Sequence, residues 1–252
     1  MVKVVAFFKR KTGMPVDEFQ QYWRTRHPDA VLGLPGVRRY VQSHTLLSGY
    51  RKGRCDAGPD RAEPLYDGIA ELWFDDTAAM RALRGTPAHA AVEADEARFI
   101  DRAGMGLIVT EEHVIKDGPA PPGGTKNVEF LRRKPGMTVD GFQRYWRETH
   151  GPIAAPIPMI RRYVQSHTRR AGYEGGRTPP WDGVAITWFD DTDAMRASAR
   201  TPEYARVRAD EANFLAPGDA PFIITREHVI YVEGGLDGPP RTSPQDSVAP
   251  AR

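Results

Sequence analysis

The spacing of hydrophobic and polar residues predicts short strands separated by amphipathic helices. Val4–Lys9 is a run of β-branched and aromatic residues and predicts a strand. After Pro15, apolar residues recur three and four positions apart, which predicts an amphipathic helix that ends near His27-Pro28. The chain therefore opens with a strand followed by a helix that has one apolar face.

The pattern continues with two more strands, a helix and a final strand. Asp75-Asp76-Thr77 supplies side chains suited to capping the start of that helix. Thr86-Pro87 interrupts the helix and begins a further helical segment to about Ile100. The predicted strands are Val37–Thr45, Ile69–Phe74 and Leu107–Ile115.

The same order of blocks occurs twice along the chain. VDEFQQYWRTRH from Val16 returns as VDGFQRYWRETH from Val139, and RRYVQSHT from Arg38 is repeated from Arg161. DGIAELWFDDTAAMRA from Asp67 matches DGVAITWFDDTDAMRA from Asp182 at a shorter spacing. One loop is therefore shorter in the second copy. The extra residues of the first copy lie around Lys52–Glu63 and include Cys55.

Each copy thus predicts a βαββαβ unit, in which an antiparallel sheet carries both helices on one face. The other face of each sheet needs a cover, and the second copy can supply it. We expect an α+β protein of two ferredoxin-like modules, residues 1–118 and 126–233. Their sheets would pack face to face as an intramolecular, pseudo-dimeric α+β barrel. Residues 119–125 form a Pro/Gly-rich linker, and residues 234–252 are predicted to be a disordered tail.

Composition and charge narrow the class of protein. Hydrophobic residues make up 40% and charged residues 27% of the 252 residues, as in soluble globular proteins. The 35 Lys and Arg and 33 Asp and Glu are scattered, which argues against nucleic acid as a partner. A single cysteine excludes an intrachain disulfide. Because no segment has the pattern of a signal peptide or membrane span, we expect a cytoplasmic protein. Internal pairing would let it remain a monomer.

The repeated blocks together resemble one known family. FQQYWRTRHPDA, RRYVQSHT and YDGIAELWFDD in the first copy, with FQRYWRETHGPIA and WDGVAITWFDD in the second, resemble the EthD family. The resemblance implies a ferredoxin-like module that forms dimeric α+β barrels. It also implies relatives that include lactone isomerases and dehydratases or cyclases of aromatic polyketide pathways. Such relatives work without metal or organic cofactor, in an apolar pocket between sheet and helices, so we expect no cofactor.

Two histidines at the predicted helix ends are the first candidates for catalysis. A partly buried imidazole can take up and return a proton near neutral pH, so His27 and His150 could act as bases. The alternative is a cationic residue favoured by the helix dipole. The resemblance implies a histidine with this role in isomerase-like relatives. His150-Gly151-Pro152 keeps the family's usual form, whereas the first copy has Pro28-Asp29, so the second copy is the favoured site.

Alternation along the second strand places three polar or amphipathic side chains on one face in each copy. A tyrosine hydroxyl there could bind a carbonyl or enolate oxygen of a substrate. The alternative is a core tyrosine with solvent-facing glutamine and histidine. Tyr40 and Tyr163 are therefore candidate catalytic residues. With the tryptophan of the first helix, the predicted pocket-lining residues are Gln42, His44, Trp23, Gln165, His167 and Trp146.

Four acidic residues are further candidates for lining the pocket or orienting the histidine. Asp67 and Asp182 precede a glycine, which is ordinary turn chemistry, or they could orient the helix-end histidine. Glu96 and Glu211 share a helix face with apolar residues, so each is either in the pocket with a raised pKa or paired with an arginine.

Metal binding is not expected from the sequence. The pairs Glu112-His113 and Glu227-His228 are adjacent on a strand and so point to opposite faces, which makes them poor chelators. Cys55 occurs only in the first copy, in a loop, and carries no predicted role.

Three functions are compatible with these residues. The favoured hypothesis is a cofactor-free acid/base enzyme, a lyase or isomerase that dehydrates, cyclises or isomerises a small aromatic, polyketide-like or lactone metabolite. A cofactor-free oxygenase would use the same barrel. A non-catalytic ligand-binding or accessory protein would tolerate replacement of His27 and His150.

Overall fold

The computed structural model describes residues 1–50, 63–218 and 220–234. Cys55, most of the longer loop of the first copy and the predicted tail beyond Gly234 lie outside the described residues. Among the residues that the structure describes, no helix is both long and apolar enough to cross a membrane.

The first copy, here called module 1, has the expected order of strands and helices. Its first helix ends at Thr25, and His27 begins a separate short helix. The break follows from Pro28, which has no N–H to continue the hydrogen-bond pattern. The elements are β1 (Val2–Phe8), α1 (Val16–Thr25), α2 (His27–Leu32), β2 (Arg39–Thr45), β3 (Gly68–Phe74), α3 (Thr77–Ala82), α4 (Pro87–Phe99) and β4 (Gly106–Lys116).

The second copy, module 2, repeats the order with one local difference. A single π-helical turn, Trp146–His150, joins α5 to α6, and the Gly151 N–H closes it by bonding the Trp146 carbonyl. The helix therefore passes through His150 without a break. The elements are β5 (Thr125–Leu131), α5 (Val139–Tyr145), α6 (Gly151–Ala154), β6 (Arg162–Thr168), β7 (Gly183–Phe189), α7 (Thr192–Ser198), α8 (Pro202–Glu211) and β8 (Phe222–Val232).

Capping side chains begin the later helices where the sequence predicts them. Asp76 accepts a hydrogen bond from the Ala79 N–H at the start of α3. Thr86 accepts one from the His89 N–H at the start of α4. These bonds satisfy N–H groups that have no partner inside the helix.

All eight strands form one closed barrel in the order β1-β3-β2-β8-β5-β7-β6-β4. Four neighbouring strands come from each module, so the two sheets face each other as expected. The two sheets are also hydrogen-bonded to each other, because β2 pairs with β8 and β4 pairs with β6 across the modules. Edge strands otherwise expose unpaired N–H and C=O groups, and closure removes every edge.

The last strand of each module is shared between the two sheets. The first half of β4 pairs with β1 and its second half with β6. β8 likewise pairs first with β5 and then with β2. These 11-residue strands are longer than the other six, and their length lets them span both sheets.

Side chains alternate between the barrel interior and the helices. The interior cluster draws on both modules and includes Phe7, Ile69, Phe130 and Ile186. Two outer clusters lie between helices and sheet, one for each module. Burial of this apolar surface in three layers supplies the main favourable contribution to folding.

One carboxylate at the centre of the barrel bridges the two modules. Lys3 Nζ lies 3.0 Å from Glu71, and Lys126 Nζ bonds the other oxygen of the same carboxylate. All three side chains are at most 2% exposed. Burial alone would raise the pKa of Glu71, but the two ammonium groups hold it below its usual range. Lys3 and Lys126 are equivalent in the repeat, whereas the equivalent of Glu71 is Ile186.

Two further carboxylates complete this interior network. Glu112 accepts a hydrogen bond of 2.7 Å from Lys3 and one of 2.7 Å from the Trp73 indole. Glu227 accepts 2.7 Å from Lys126 and 3.2 Å from Trp188. Each lysine therefore contacts two carboxylates, which offsets the cost of burying its charge.

We expect the Glu71→Gln variant to lose about 3–5 kcal/mol of unfolding free energy, because a neutral amide leaves two buried ammonium groups without their shared counter-charge. Urea unfolding followed by circular dichroism measures the change. Glu18→Gln, at an exposed position on α1, is the matched control and should change stability by less than about 0.5 kcal/mol. A Glu71→Gln variant as stable as this control would contradict the structural role of the bridge.

Candidate functional site

A histidine–aspartate pair lies at the junction of the helices in each module. His27 Nδ1 is 2.8 Å from Asp95 Oδ2, and His150 Nδ1 is 2.8 Å from Asp210 Oδ2. The aspartates come from α4 and α8, so each pair joins the start and the end of its module. Both histidines are among the residues predicted from the sequence, whereas neither aspartate is.

A tyrosine fixes the second oxygen of each aspartate. The Tyr22 hydroxyl donates to Asp95 at 2.6 Å, and the Tyr145 hydroxyl donates to Asp210 at 2.7 Å. A phenylalanine packs on each imidazole, with ring centroids 5.0 Å apart for Phe99 and 4.6 Å for Phe214. Each carboxylate is thus held by a histidine and a tyrosine beside an aromatic ring, and Asp210 also accepts a hydrogen bond of 3.0 Å from Asn213 Nδ2.

Burial and the aspartate act in opposite directions on the histidine. Burial lowers the pKa of His150 below its usual value, while the bond to Asp210 partly restores it. The pKa of His27 is lowered for the same reasons. Burial would raise the pKa of Asp210, but hydrogen bonds from Tyr145 and His150 hold it below its usual range. The pair is therefore a neutral imidazole beside an ionised carboxylate at neutral pH.

These protonation states determine the tautomer of the His27 and His150 imidazoles. An ionised carboxylate only accepts hydrogen bonds, so Nδ1 must carry the imidazole proton and Nε2 the lone pair. An imidazole in this state can act as a base through Nε2.

The polar face of β2 points towards the helices and is closed by its own hydrogen bonds. Gln42 Nε2 donates to the Trp23 carbonyl at 2.7 Å and to the Tyr40 hydroxyl at 2.9 Å, and Trp23 Nε1 donates to the same hydroxyl at 3.2 Å. The His44 ring stacks on Trp23 at 4.2 Å and bonds Gln42 at 3.0 Å. These residues tie the C-terminal end of α1 to the sheet.

Module 2 repeats the network. Gln165 donates to the Trp146 carbonyl at 2.9 Å and to Tyr163 at 3.0 Å, and His167 stacks on Trp146 at 4.3 Å. Burial raises the pKa of Tyr163, as it does for Tyr40. The alternative of solvent-facing glutamine and histidine at this strand is wrong, because these side chains are at most 4% exposed. Helices cover this face.

The glycine of each Asp-Gly pair makes room for the tryptophan. A Cβ added to Gly68 would lie 2.4 Å from the Trp23 ring, and one added to Gly183 would lie 2.6 Å from Trp146. Contacts that short do not occur, so only glycine fits beneath each indole.

The orienting role considered for Asp67 and Asp182 needs correction. Asp67 accepts 2.7 Å hydrogen bonds from the Arg10 backbone N–H and side chain, and Asp182 bonds Arg133 in the same way. Arg10 and Arg133 lie in the loop before the first helix of their module, so these aspartates hold that loop and do not bond the histidine. Asp95 and Asp210 are the residues that orient the histidines.

The repeat contains a signal for the missed aspartates. ADEARF in α4 returns as ADEANF at the end of α8, and in each copy the aspartate directly precedes the candidate glutamate, Glu96 or Glu211. Glu211 pairs with Arg208 at 2.6 Å, as one alternative expects. Glu96 lies 3.9 Å from Arg102, and burial raises its pKa.

Two surface depressions have linings that include neither His27 nor His150. One is lined by residues around Asp75 and Arg81, and the other by residues around Arg133 and Asp182. The layer between helices and sheet in module 2 holds Phe142, Trp146 and Phe214, all fully buried. The side chain of His150 is 7% exposed, so its surroundings must shift to admit a substrate. No group of three potential ligands for a metal ion occurs among the described residues.

We expect stability to fall with acidification through the two stacked histidines. Burial lowers the pKa of His44 and His167 from 6.5 to about 3, so the unfolded state binds more protons between these values. Each histidine then contributes a slope of about 1.4 kcal/mol per pH unit in this window, with stability lost as pH falls. Urea unfolding at several pH values should show a smaller slope in His44→Gln and His167→Gln. An unchanged slope would contradict the interpretation, and His89→Gln on the surface is the control.

The matches to known proteins reflect the duplicated architecture of the chain. The EthD domain family matches residues 11–103 and 134–218, together more than half of the chain. No curated protein matches the chain. An anthrone oxidase-like protein has a similar structure, with a TM-score of 0.57, 13% identity, and coverage of 90% of this chain and 92% of that chain. A candidate monooxygenase from Fusobacterium nucleatum subsp. nucleatum has a TM-score of 0.54, 10% identity, and coverage of 93% and 95%.

An ethyl tert-butyl ether D (EthD) family protein from Bacillus halodurans is 18% identical, with a TM-score of 0.34, and covers 45% of this chain and 99% of its own. At these identities the structural similarities show the fold alone. The family assignment comes from the two matched segments, one in each module. The chain therefore belongs to the EthD family.

Proposed function

We propose that this protein is an acid/base enzyme whose base is the imidazole of the His150–Asp210 pair. The substrate would be a small aromatic, polyketide-like or lactone metabolite with an acidic C–H next to a carbonyl group. The reaction would be a dehydration, cyclisation or isomerisation. The observation that carries the proposal is the 2.8 Å bond from His150 Nδ1 to an ionised carboxylate, which leaves the Nε2 lone pair as the base.

Each residue of the pair has a defined part in the proton transfer. Nε2 of His150 takes the proton from carbon, and the imidazole becomes a cation. Asp210 stabilises that cation through Nδ1–H, while Tyr145 holds the carboxylate in place. The cation then returns the proton to a leaving hydroxyl in a dehydration, or to a different carbon in an isomerisation. No proton is lost over the cycle.

Module 2 is favoured over module 1 by the helix that carries its histidine. The histidine–aspartate distance is 2.8 Å in both pairs, so this distance does not distinguish the modules. His150 ends a π-helical turn, a feature that often marks functional sites. A Cβ at Gly151 would lie 3.1 Å from Ile115, so this helix approaches β4 closely. Module 1 has Pro28 at the equivalent position and a broken helix.

The network on β6 would support the base indirectly. Tyr163 and Gln165 bond Trp146, which lies one turn before His150 in the same helix. Because Tyr163 is 3% exposed, we place it as a positioning residue that holds this helix against the sheet. Tyr40 would do the same for His27.

Oxygenation is a second candidate function. The similarity in fold to an anthrone oxidase-like protein and to a candidate monooxygenase supports it. The first step would be the same, since a base must form a carbanion before that carbanion reacts with O₂. Oxygen uptake therefore distinguishes the two functions. A protein that only binds such metabolites would need no base.

We expect the His150→Ala variant to lose about 10²-fold or more of the wild-type rate of proton abstraction. The rate is measured as deuterium exchange at the acidic carbon of anthrone, a β-diketone and an enol lactone, with an oxygen electrode in parallel. His27→Ala should lose less. His89→Ala, a partly exposed surface position, is the matched control and should keep the wild-type rate.

The ranking of these variants decides the assignment. A folded His150→Ala variant with the wild-type rate would refute the base, and a larger loss in His27→Ala would move the site to module 1. Absence of exchange by the wild-type protein with every probe would favour a binding function.

We expect the rate to fall with acidification only below pH 6.5, because burial lowers the pKa of His150 below that value and the neutral imidazole is the base. Asp210→Asn removes the charge that stabilises the cation, so its acidic limb should move to still lower pH and its plateau should drop. The pH dependence of exchange for both proteins measures this. A wild-type limb above pH 6.5 would contradict the assignment.

A further inference from the structure

A basic depression of about 470 Å³ lies beside the loop between β5 and α5 in module 2. Three consecutive cations, Arg132, Arg133 and Lys134, line it together with Thr178. Asp182 is the one acidic residue among its lining residues in the described structure. The depression therefore carries an excess of positive charge.

Module 1 shows what the same arrangement binds. Arg10 donates through Nε to the Met14 carbonyl at 2.9 Å and through Nη1 to Asp67 at 2.7 Å. Its remaining nitrogen, Nη2, donates to the Glu63 carboxylate at 2.7 Å. Lys9 lies 3.5 Å from the other oxygen of Glu63. A carboxylate thus bridges the first two cations of the loop.

Module 2 repeats these contacts except for the carboxylate. Arg133 donates through Nε to the Met137 carbonyl at 3.1 Å and through Nη1 to Asp182. The repeat places Thr178 where module 1 has Glu63, in TPPWDG against EPLYDG. Among the described residues, no carboxylate contacts Nη2 of Arg133. Arg132, the equivalent of Lys9, lies 4.5 Å above the Trp181 ring.

We propose that module 2 binds a small carboxylate from solution at the position that the Glu63 side chain occupies in module 1. The guanidinium group of Arg133 would donate Nη2–H to one oxygen, and Arg132 would provide the second charge. Thr178 is exposed and shorter than glutamate, which leaves space for the ligand. Because the depression is open to water, binding should be weak and should decrease with added salt.

The ionised state of the Glu63 carboxylate supports the proposed site in module 2. The hydrogen bond from Arg10 lowers the pKa of Glu63 below its usual range, so the loop stabilises an ionised carboxylate in module 1. The depression precedes α5, whereas His150 follows the π-helical turn at the other end of that helix. This site is therefore separate from the proposed base and independent of the proposed function.

Acetate is the probe for the site, and acetamide is its neutral counterpart of the same shape. Titration of the intact chain, followed by NMR of the arginine side-chain N–H groups and by calorimetry, should show one acetate site that perturbs Arg133. Acetamide should not bind. Equal binding of acetamide, or no binding of acetate, would overturn the proposal. Binding of inorganic phosphate in preference to acetate would overturn the assignment to a carboxylate.

Exchanging the residues that differ between the modules gives matched variants. Thr178→Glu supplies a carboxylate within the chain and should weaken acetate binding by about tenfold or more. Glu63→Thr removes it from module 1 and should create a second acetate site. Arg132→Gln should weaken binding, whereas Arg144→Gln, an exposed arginine on α5, should leave it unchanged. Wild-type affinity in Thr178→Glu would refute the site even if Glu63→Thr fails to fold.

Discussion

Closure of the barrel is the constraint on which the rest of the structure depends. Each module alone would leave two sheet edges and one apolar sheet face exposed to water. The shared strands β4 and β8 remove the edges, and the packing of the two sheets removes the faces. Both needs are met by the same pairing, so neither module has a complete core without the other. The helices are then confined to the outside, where each covers its own module.

This confinement determines where chemistry can occur. Bulky apolar side chains and the Lys3–Glu71–Lys126 bridge fill the barrel interior. The histidine–aspartate pairs lie in the outer layers, between the helices of each module, so they are two similar and separate sites.

Duplication within one chain also allows differences that two identical chains cannot have. Glu71 has Ile186 as its equivalent, so a single carboxylate bonds two equivalent lysines, one from each module. Ser43 lies 3.5 Å from Glu71, whereas its equivalent Ser166 has a buried hydroxyl without a partner in the described structure. Glu63 and Thr178 are a further pair of this kind. At both glutamates, module 1 has a charge and module 2 has an uncharged residue.

The sequence by itself determined the repeat, the order of elements, the capping residues and the residues that share the inner helix face and the polar face of β2. These follow from periodicity within one element, which the chain displays directly. Tertiary structure alone decided that His27 meets Asp95, that Asp67 meets Arg10, and that the sheet edges pair across the modules. Those contacts join residues far apart in the chain, and several acidic residues of similar spacing could have been the partner. Only the packing of helix on sheet brings one of them within hydrogen-bond distance.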